Sequence, residues 1–292
     1  MATRRGRLLA LCLLLPMAQL SAAELFRDDF NNGVYYSTSV LAADGASVDT
    51  LNDTYWTYHA LPGEELSVAE IDDRLEIATD SAFGAGIVLY GNQANPDALC
   101  PPGASEGCVD PRLYFFNDPQ ADPAASRTIV VDGIRLTGIN HPSYYAFKLR
   151  IGSTPGGLLF RSHLEVSLSG DKELRVISKV GAANAVALFR SFYLQQLAHR
   201  ITLTLGPSQY TVKADFDFPP ATGDTPALLS GSASYTGLHG LDVNAWLSET
   251  GGVEGGALFL GATSTDPKDS LARLSIDSVS VHDGASSLGL CQ

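Results

Sequence analysis

Long apolar runs are scarce in this chain. One, over residues 8–20, stands near the start, and no later segment has the uninterrupted length that a membrane-spanning helix needs. Cysteine is nearly as scarce, with four in 292 residues, and the Cys-x7-Cys spacing of Cys100 and Cys108 without nearby histidine is a poor zinc signature. Positive charge is in short supply as well. Nineteen Lys and Arg face thirty-two Asp and Glu, a net charge of −13, which argues against general binding to nucleic acid or anionic lipid. Helical periodicity is hard to find, and no glycine-rich loop follows a strand and opens a helix, so a phosphate cradle of that kind is not expected. No Ser/His/Asp triad is readable, and no repeat of solenoid period appears.

What the chain does have begins with a leader. Arg4, Arg5 and Arg7 precede the apolar run, and Ser21-Ala22-Ala23 supply small residues at the cleavage positions. Residues 1–23 therefore read as a secretory signal peptide, cut after Ala23, that sends the chain to the periplasm or the exterior. Cys12 follows Leu9-Ala10-Leu11, a bulky leucine where a lipoprotein signal wants a small residue, so a lipid anchor is not expected. Residues 24–292 retain sixteen basic residues against thirty-two acidic ones, and their length suits one large domain. The stretches 92–123 and 218–225 are rich in turn formers and read as excursions between strands, not as linkers. Export permits disulfides, and Cys100 with Cys108, closing Cys-Pro-Pro-Gly-Ala-Ser-Glu-Gly-Cys, form the expected pair; two free thiols are the alternative. Cys291 is left over.

Period-two alternation dominates the remainder. HLEVSL over 163–168 and ELRVISKV over 173–180, joined by Ser169-Gly170-Asp171-Lys172, predict a β-hairpin. ITLTL over 201–205 and the strand over 210–216 repeat the pattern. Further strands are predicted over 25–30, 66–71, 74–79, 87–90, 128–136, 144–151, 257–261 and 273–282. Many short strands with almost no helix predict an all-β antiparallel sandwich, a jelly roll.

The few positive charges are concentrated. Between Ser126 and Lys213 there are eleven Lys or Arg against four acids, while the rest of the chain after the leader has five against twenty-eight. That asymmetry points to an anionic ligand on one face; a sheet whose solvent side is simply basic is the alternative. Alternation assigns the faces. Leu164, Val166 and Leu168 point inward with Phe147, Leu149, Leu174 and Val176, leaving Tyr144, Lys148, Arg150, Arg161, His163, Glu165, Ser167, Arg175 and Lys179 outside. Arg200 is expected to join them if its strand lies in the same sheet.

The order of strands resembles the concanavalin A-like lectin/glucanase (LamG-like) domains. The resemblance rests on Leu25-Phe26-Arg27-Asp28-Asp29-Phe30, on Trp56, and on LSVAEIDDRLEIAT from Leu66. It extends to HRITLTL from His199 with Tyr210-Thr211-Val212, and to the closing LSIDSVSV from Leu274. It implies a carbohydrate-handling sandwich with the saccharide across one sheet. Arginine forks suit carboxylates and sulfates, so an acidic polysaccharide is the expected partner, bound by Lys148, Arg150, Arg161, Arg175, Lys179 and Arg200. A lyase is the enzymatic alternative, with His163 and Tyr144 as proton-transfer residues. Arg161-Ser162-His163-Leu164-Glu165 resembles the Arg-Thr/Ser-Glu-Leu strand of jelly-roll alginate lyases, with His163 where those enzymes carry glutamate. Their Gln-Ile-His motif does not appear, since Gln196-Leu197-Ala198-His199 has an extra residue, and their Tyr-x-Lys-Ala-Gly motif is missing, Tyr210-Thr211-Val212-Lys213-Ala214 being only loosely similar. An envelope or matrix structural protein is the non-catalytic alternative, with its basic residues scattered over both sheets.

Two acidic groups bear on other chemistry. Glu70-Ile71-Asp72-Asp73-Arg74-Leu75-Glu76 reads as a chain reversal that separates its glutamates, not as a hydrolase carboxylate pair. Asp29 and Asp277 raise the prospect of a structural Ca²⁺ where the first and last strands meet, against capping or pairing with Arg27 or Arg273.

Overall fold

The protein is described here by a computed structural model, over residues 24–31, 35–37, 56–60, 63–82, 84–90, 126–137, 146–153, 163–179, 188–194, 196–217, 230–241, 256–264 and 272–284. The expected leader, Tyr144, Arg161 and the cysteine pair Cys100–Cys108 with Cys291 lie outside these residues. The described chain forms an antiparallel β-sandwich, with no helix among the described residues.

Its first strands are β1 (Glu24–Asp28), β2 (Tyr35–Ser37), β3 (Trp56–His59), β4 (Leu66–Glu70), β5 (Leu75–Thr79) and β6 (Ala85–Tyr90). The middle supplies β7 (Arg127–Asp132), β8 (Arg135–Thr137), β9 (Phe147–Ser153), β10 (His163–Leu168), β11 (Glu173–Lys179) and β12 (Leu188–Tyr193). The last are β13 (Ala198–Leu205), β14 (Gln209–Asp217), β15 (Ser230–Leu238), β16 (Gly256–Ala262), β17 (Ala272–Ile276) and β18 (Ser278–Asp283). They assemble as a six-stranded sheet β1-β18-β7-β13-β14-β15, a seven-stranded sheet β12-β11-β10-β9-β16-β6-β3 and a five-stranded sheet β2-β4-β5-β17-β8. All three sheets contribute to one buried cluster. Ile129, Leu203 and Val281 come from the first sheet, Phe147, Leu149, Val166 and Leu260 from the second, and Val68, Ile77 and Leu274 from the third.

Turn chemistry fixes the hairpins. At the β4–β5 reversal, Asp72 and Asp73 both take positive φ, 54° and 57°, and the Ile71 and Arg74 backbones exchange hydrogen bonds of 2.9 and 3.1 Å. That is the two-residue turn whose twist matches paired strands. Glu70 and Glu76 accordingly stand on different strands. The β10–β11 loop closes with Lys172 at φ 72° and its N–H donating to the Ser169 carbonyl at 3.1 Å.

Two predicted strands are each broken in two. The stretch 128–136 becomes β7 and β8, and 273–282 becomes β17 and β18, so the chain passes twice between the six- and five-stranded sheets. The cause is local. Gly133 has φ 68°, and a Cβ on it would fall 2.0 Å from Asp277 Oδ2, so the bend needs glycine. The Asp277 N–H donates to the Asp132 carbonyl at 2.9 Å, and Arg74 donates to Ser275 Oγ at 2.7 Å while pairing with Asp277.

Candidate functional site

The register places the outer face of the seven-stranded sheet residue by residue. Ser167 stands between Lys148 and Arg175, Glu165 between Arg150 and Ile177, and His163 between Gly152 and Lys179. Beyond β9, Lys148 pairs with Gly261 and Arg150 with Phe259. Alternation thus predicts the correct side for Lys148, Arg150, His163, Arg175 and Lys179, and the fold brings all five onto one sheet face.

Exposure differs from the expectation of a solvated face. Lys148 and Arg150 are each only 8 % exposed, and Glu165 only 3 %. Arg175, Lys179 and His163 are partly exposed. Burial on this side is offset in part by Glu165, whose one carboxylate faces three cations. Arg150 Nε donates to Glu165 Oε2 at 2.6 Å, the Lys148 Nζ lies 4.0 Å from the same oxygen, and an Arg175 terminal nitrogen lies 3.5 Å from Oε1. Ser167 Oγ donates to Oε1 as well. Glu165 is a hub that the sequence places on the face without revealing its role. Its one signal is that it is the only acid of β10, a strand lying between Lys148 and Arg150 on one side and Arg175 and Lys179 on the other.

The electrostatics follow from this packing. Burial alone would raise the Glu165 carboxyl, but the charges of Arg150 and Lys148, with the Ser167 and Arg150 hydrogen bonds, hold it well below the usual carboxylate range. It is therefore ionised and a poor proton acceptor. Burial pushes the Lys148 ammonium down to about 8, Glu165 opposing and the charges of Arg150 and Arg175 assisting. The Arg150 guanidinium also lies over the Phe259 ring, 5.2 Å from its centroid, and the His59 ring meets that phenyl edge-on at 5.6 Å. Phe259 can lie this way because its neighbour is Gly261, where a Cβ would come within 2.4 Å of the ring.

Other predicted site residues fall elsewhere. Arg200 belongs to β13 of the six-stranded sheet, so the expectation that it shares a face with Lys148 and Arg150 is corrected; it is paired there with Asp132. A basic residue on an alternating strand shows its side of a sheet but not which sheet, since strand partners are set by long-range contacts. Asp29 is paired with Arg27 at 2.7 Å, and Asp277 with Arg74. Carboxylates held by guanidinium groups are a poor donor set for Ca²⁺, and among the described residues no three His, Cys, Asp or Glu side chains are grouped to hold a metal. Asp28 instead anchors the first strand, accepting from Trp56 Nε1 at 2.8 Å and from the Phe30 N–H at 2.9 Å.

No protein-family model matches the chain, and no curated protein matches its sequence. Among solved structures it is similar to a glycosyl hydrolase family protein from Mycobacterium fortuitum, at 11 % identity over 88 % of this chain and 99 % of that one, with a TM-score of 0.39. An immunostimulatory antigen and pseudo β-1,3-glucanase of Mycobacterium tuberculosis gives 13 % identity over 90 % of this chain and all of the other, with a TM-score of 0.42. An alginate lyase of polysaccharide lyase family 7 gives 8 % identity, 80 % and 96 % coverage and a TM-score of 0.41. The likeness is one of strand layout.

Proposed function

We propose that this chain is exported and binds an acidic polysaccharide on the outer face of the seven-stranded sheet. The observation that carries the reading is the charge balance of that face. On β9, β10 and β11 it presents Lys148, Arg150, Arg175 and Lys179 against Glu165 and Glu173, in a chain whose net charge is −13. Arg175, Lys179 and His163 form the reachable rim. Lys148 and Arg150 lie deeper, where the low dielectric strengthens their field on an anion above them. Glu165 holds these cations in place; a uronate or sulfate chain supplies the remaining counter-charge. Affinity electrophoresis through gels containing polyuronate or neutral glucan tests this. The protein should be retarded only by the polyuronate, and Arg175→Ala with Lys179→Ala should weaken retardation about tenfold or more, the loss of two charge-assisted contacts. Equal migration in both gels would overturn the reading in favour of a structural envelope or matrix role.

One observation favours catalysis as a second reading: His163 shares the face with two arginines and with Lys148, whose ammonium burial pushes down to about 8. In a lyase the arginines neutralise the uronate carboxylate and His163 takes the C5 proton. The C4–O bond breaks as the C4=C5 bond forms, and Tyr144 protonates the leaving oxygen. Ultraviolet absorbance of the unsaturated product, lost in His163→Ala, is the expected signature; a flat trace leaves the binding reading alone.

A further inference from the structure

We infer that β15 is a pairing edge, and that its partner is β15 of a second copy of this chain. Edge strands ordinarily carry devices that block such pairing: shortness, charge, proline or a bulge. The other edges have them. Strand β1 carries Glu24, Arg27 and Asp28 and a register shift, β12 carries Arg190, β8 has three residues including Arg135, and β2 and β3 have three and four residues. Strand β15 has none. It is nine residues long, reads Ser-Gly-Ser-Ala-Ser-Tyr-Thr-Gly-Leu, and pairs with β14 without interruption from Ser230 to Leu238. Among the described residues no strand pairs with its far side. Its outward side chains Ser232, Ser234 and Thr236 are exposed, and Leu238 is 65 % exposed.

The sequence of β15 also selects a second copy as the occupant. An antiparallel pair with its two-fold axis at Ser234 sets Ser234 opposite Ser234, Ala233 opposite Tyr235, Ser232 opposite Thr236 and Gly231 opposite Gly237. Each bulky residue then meets a small one, and no charge meets a like charge on either strand. On the inner side Tyr235 already rests against Phe192 and Tyr210, each at 6.0 Å between ring centroids, so its side chain is committed to its own core and leaves the backbone edge to the partner. The two six-stranded sheets then continue as one. Because residues 24–292 of each copy carry sixteen basic against thirty-two acidic residues, long-range repulsion opposes association, and added salt should strengthen it by screening.

The test is sedimentation equilibrium of the full exported chain over a concentration series, beside Ser234→Lys and Ser234→Glu. Ser234 is exposed, so neither change disturbs the core. Wild type should show a dimer that tightens with salt. Each variant should dissociate at least about tenfold more readily, because like charges then meet at the axis. An equimolar mixture of the two should recover the dimer. A wild-type monomer at every concentration, or a dimer indifferent to both substitutions, would overturn the inference. Should either variant fold poorly, hydrogen exchange of wild-type β15 decides instead: its protection should rise with protein concentration, and unchanged protection would overturn the pairing.

Discussion

Glu165 lies within reach of three cations, so neutralising it would leave buried positive charges facing one another. Glu165→Gln is expected to lower stability by about 3 kcal/mol or more, the usual cost of breaking one side of a buried charge network, seen as a fall in the urea midpoint. Glu165→Asp should recover only part of this, since the shorter side chain cannot reach all three. Lys148 gives a pH prediction with a definite sign. Its folded-state value is pushed down to about 8 from 10.5, so between those values the unfolded chain holds a proton that the folded chain lacks. Stability should therefore rise with pH across that window and level off below about 8, where both states are charged. Urea titrations on either side of the window should show this rise in the wild type and a flatter profile in Lys148→Met. The residue types of this cluster were legible in the sequence, and so was their shared side, because alternation is a property of the strand itself. That they bury together was not, because burial depends on what packs over the face.

The hairpins were the most legible elements, since turn residues and flanking alternation are local. At the β4–β5 turn both aspartates hold positive φ, a conformation that Asn-Gly adopts more easily. Asp72→Asn with Asp73→Gly should raise stability by about 1 kcal/mol, and Asp73→Val should lower it by at least as much; thermal melts check both. Four strands escaped the pattern: β2, β3, β12 and β15. Strands β2 and β3 are only three and four residues long, and β12 and β15 are sheet edges where neither face must be apolar throughout. In β15 the exposed Ser232, Ser234, Thr236 and Leu238 alternate with half-buried Gly231, Ala233, Tyr235 and Gly237, only one of which is a large hydrophobe, so no hydrophobic period betrays a strand that is specified by its pairing with β14. The bends at Gly133 and Asp277 were hidden for a related reason. Each occurs where the other segment passes, and only the contact between them makes a bend necessary.

At the scale of the molecule, charge sets the expected behaviour toward ligands. If the cationic face holds a polyuronate, its affinity should fall as salt rises, since the attraction is screened within about 8 Å at physiological ionic strength. Pairing at β15 should respond in the opposite sense, so titrating salt in the electrophoresis and sedimentation measurements separates the two. A paired molecule carries two such faces, which strengthens its hold on a long chain without any new contact. The sequence by itself determined the all-β class, the hairpins and the side of the sheet on which each charge lies, because period-two alternation and turn chemistry act within a few residues. Only the tertiary structure decided that Arg200 sits in a different sheet from Lys148 and Arg150, that Glu165 ties three cations together, and that β15, among the described residues, ends its sheet as an uncharged edge. Those depend on which distant strands become neighbours, and that choice is made by packing the common core.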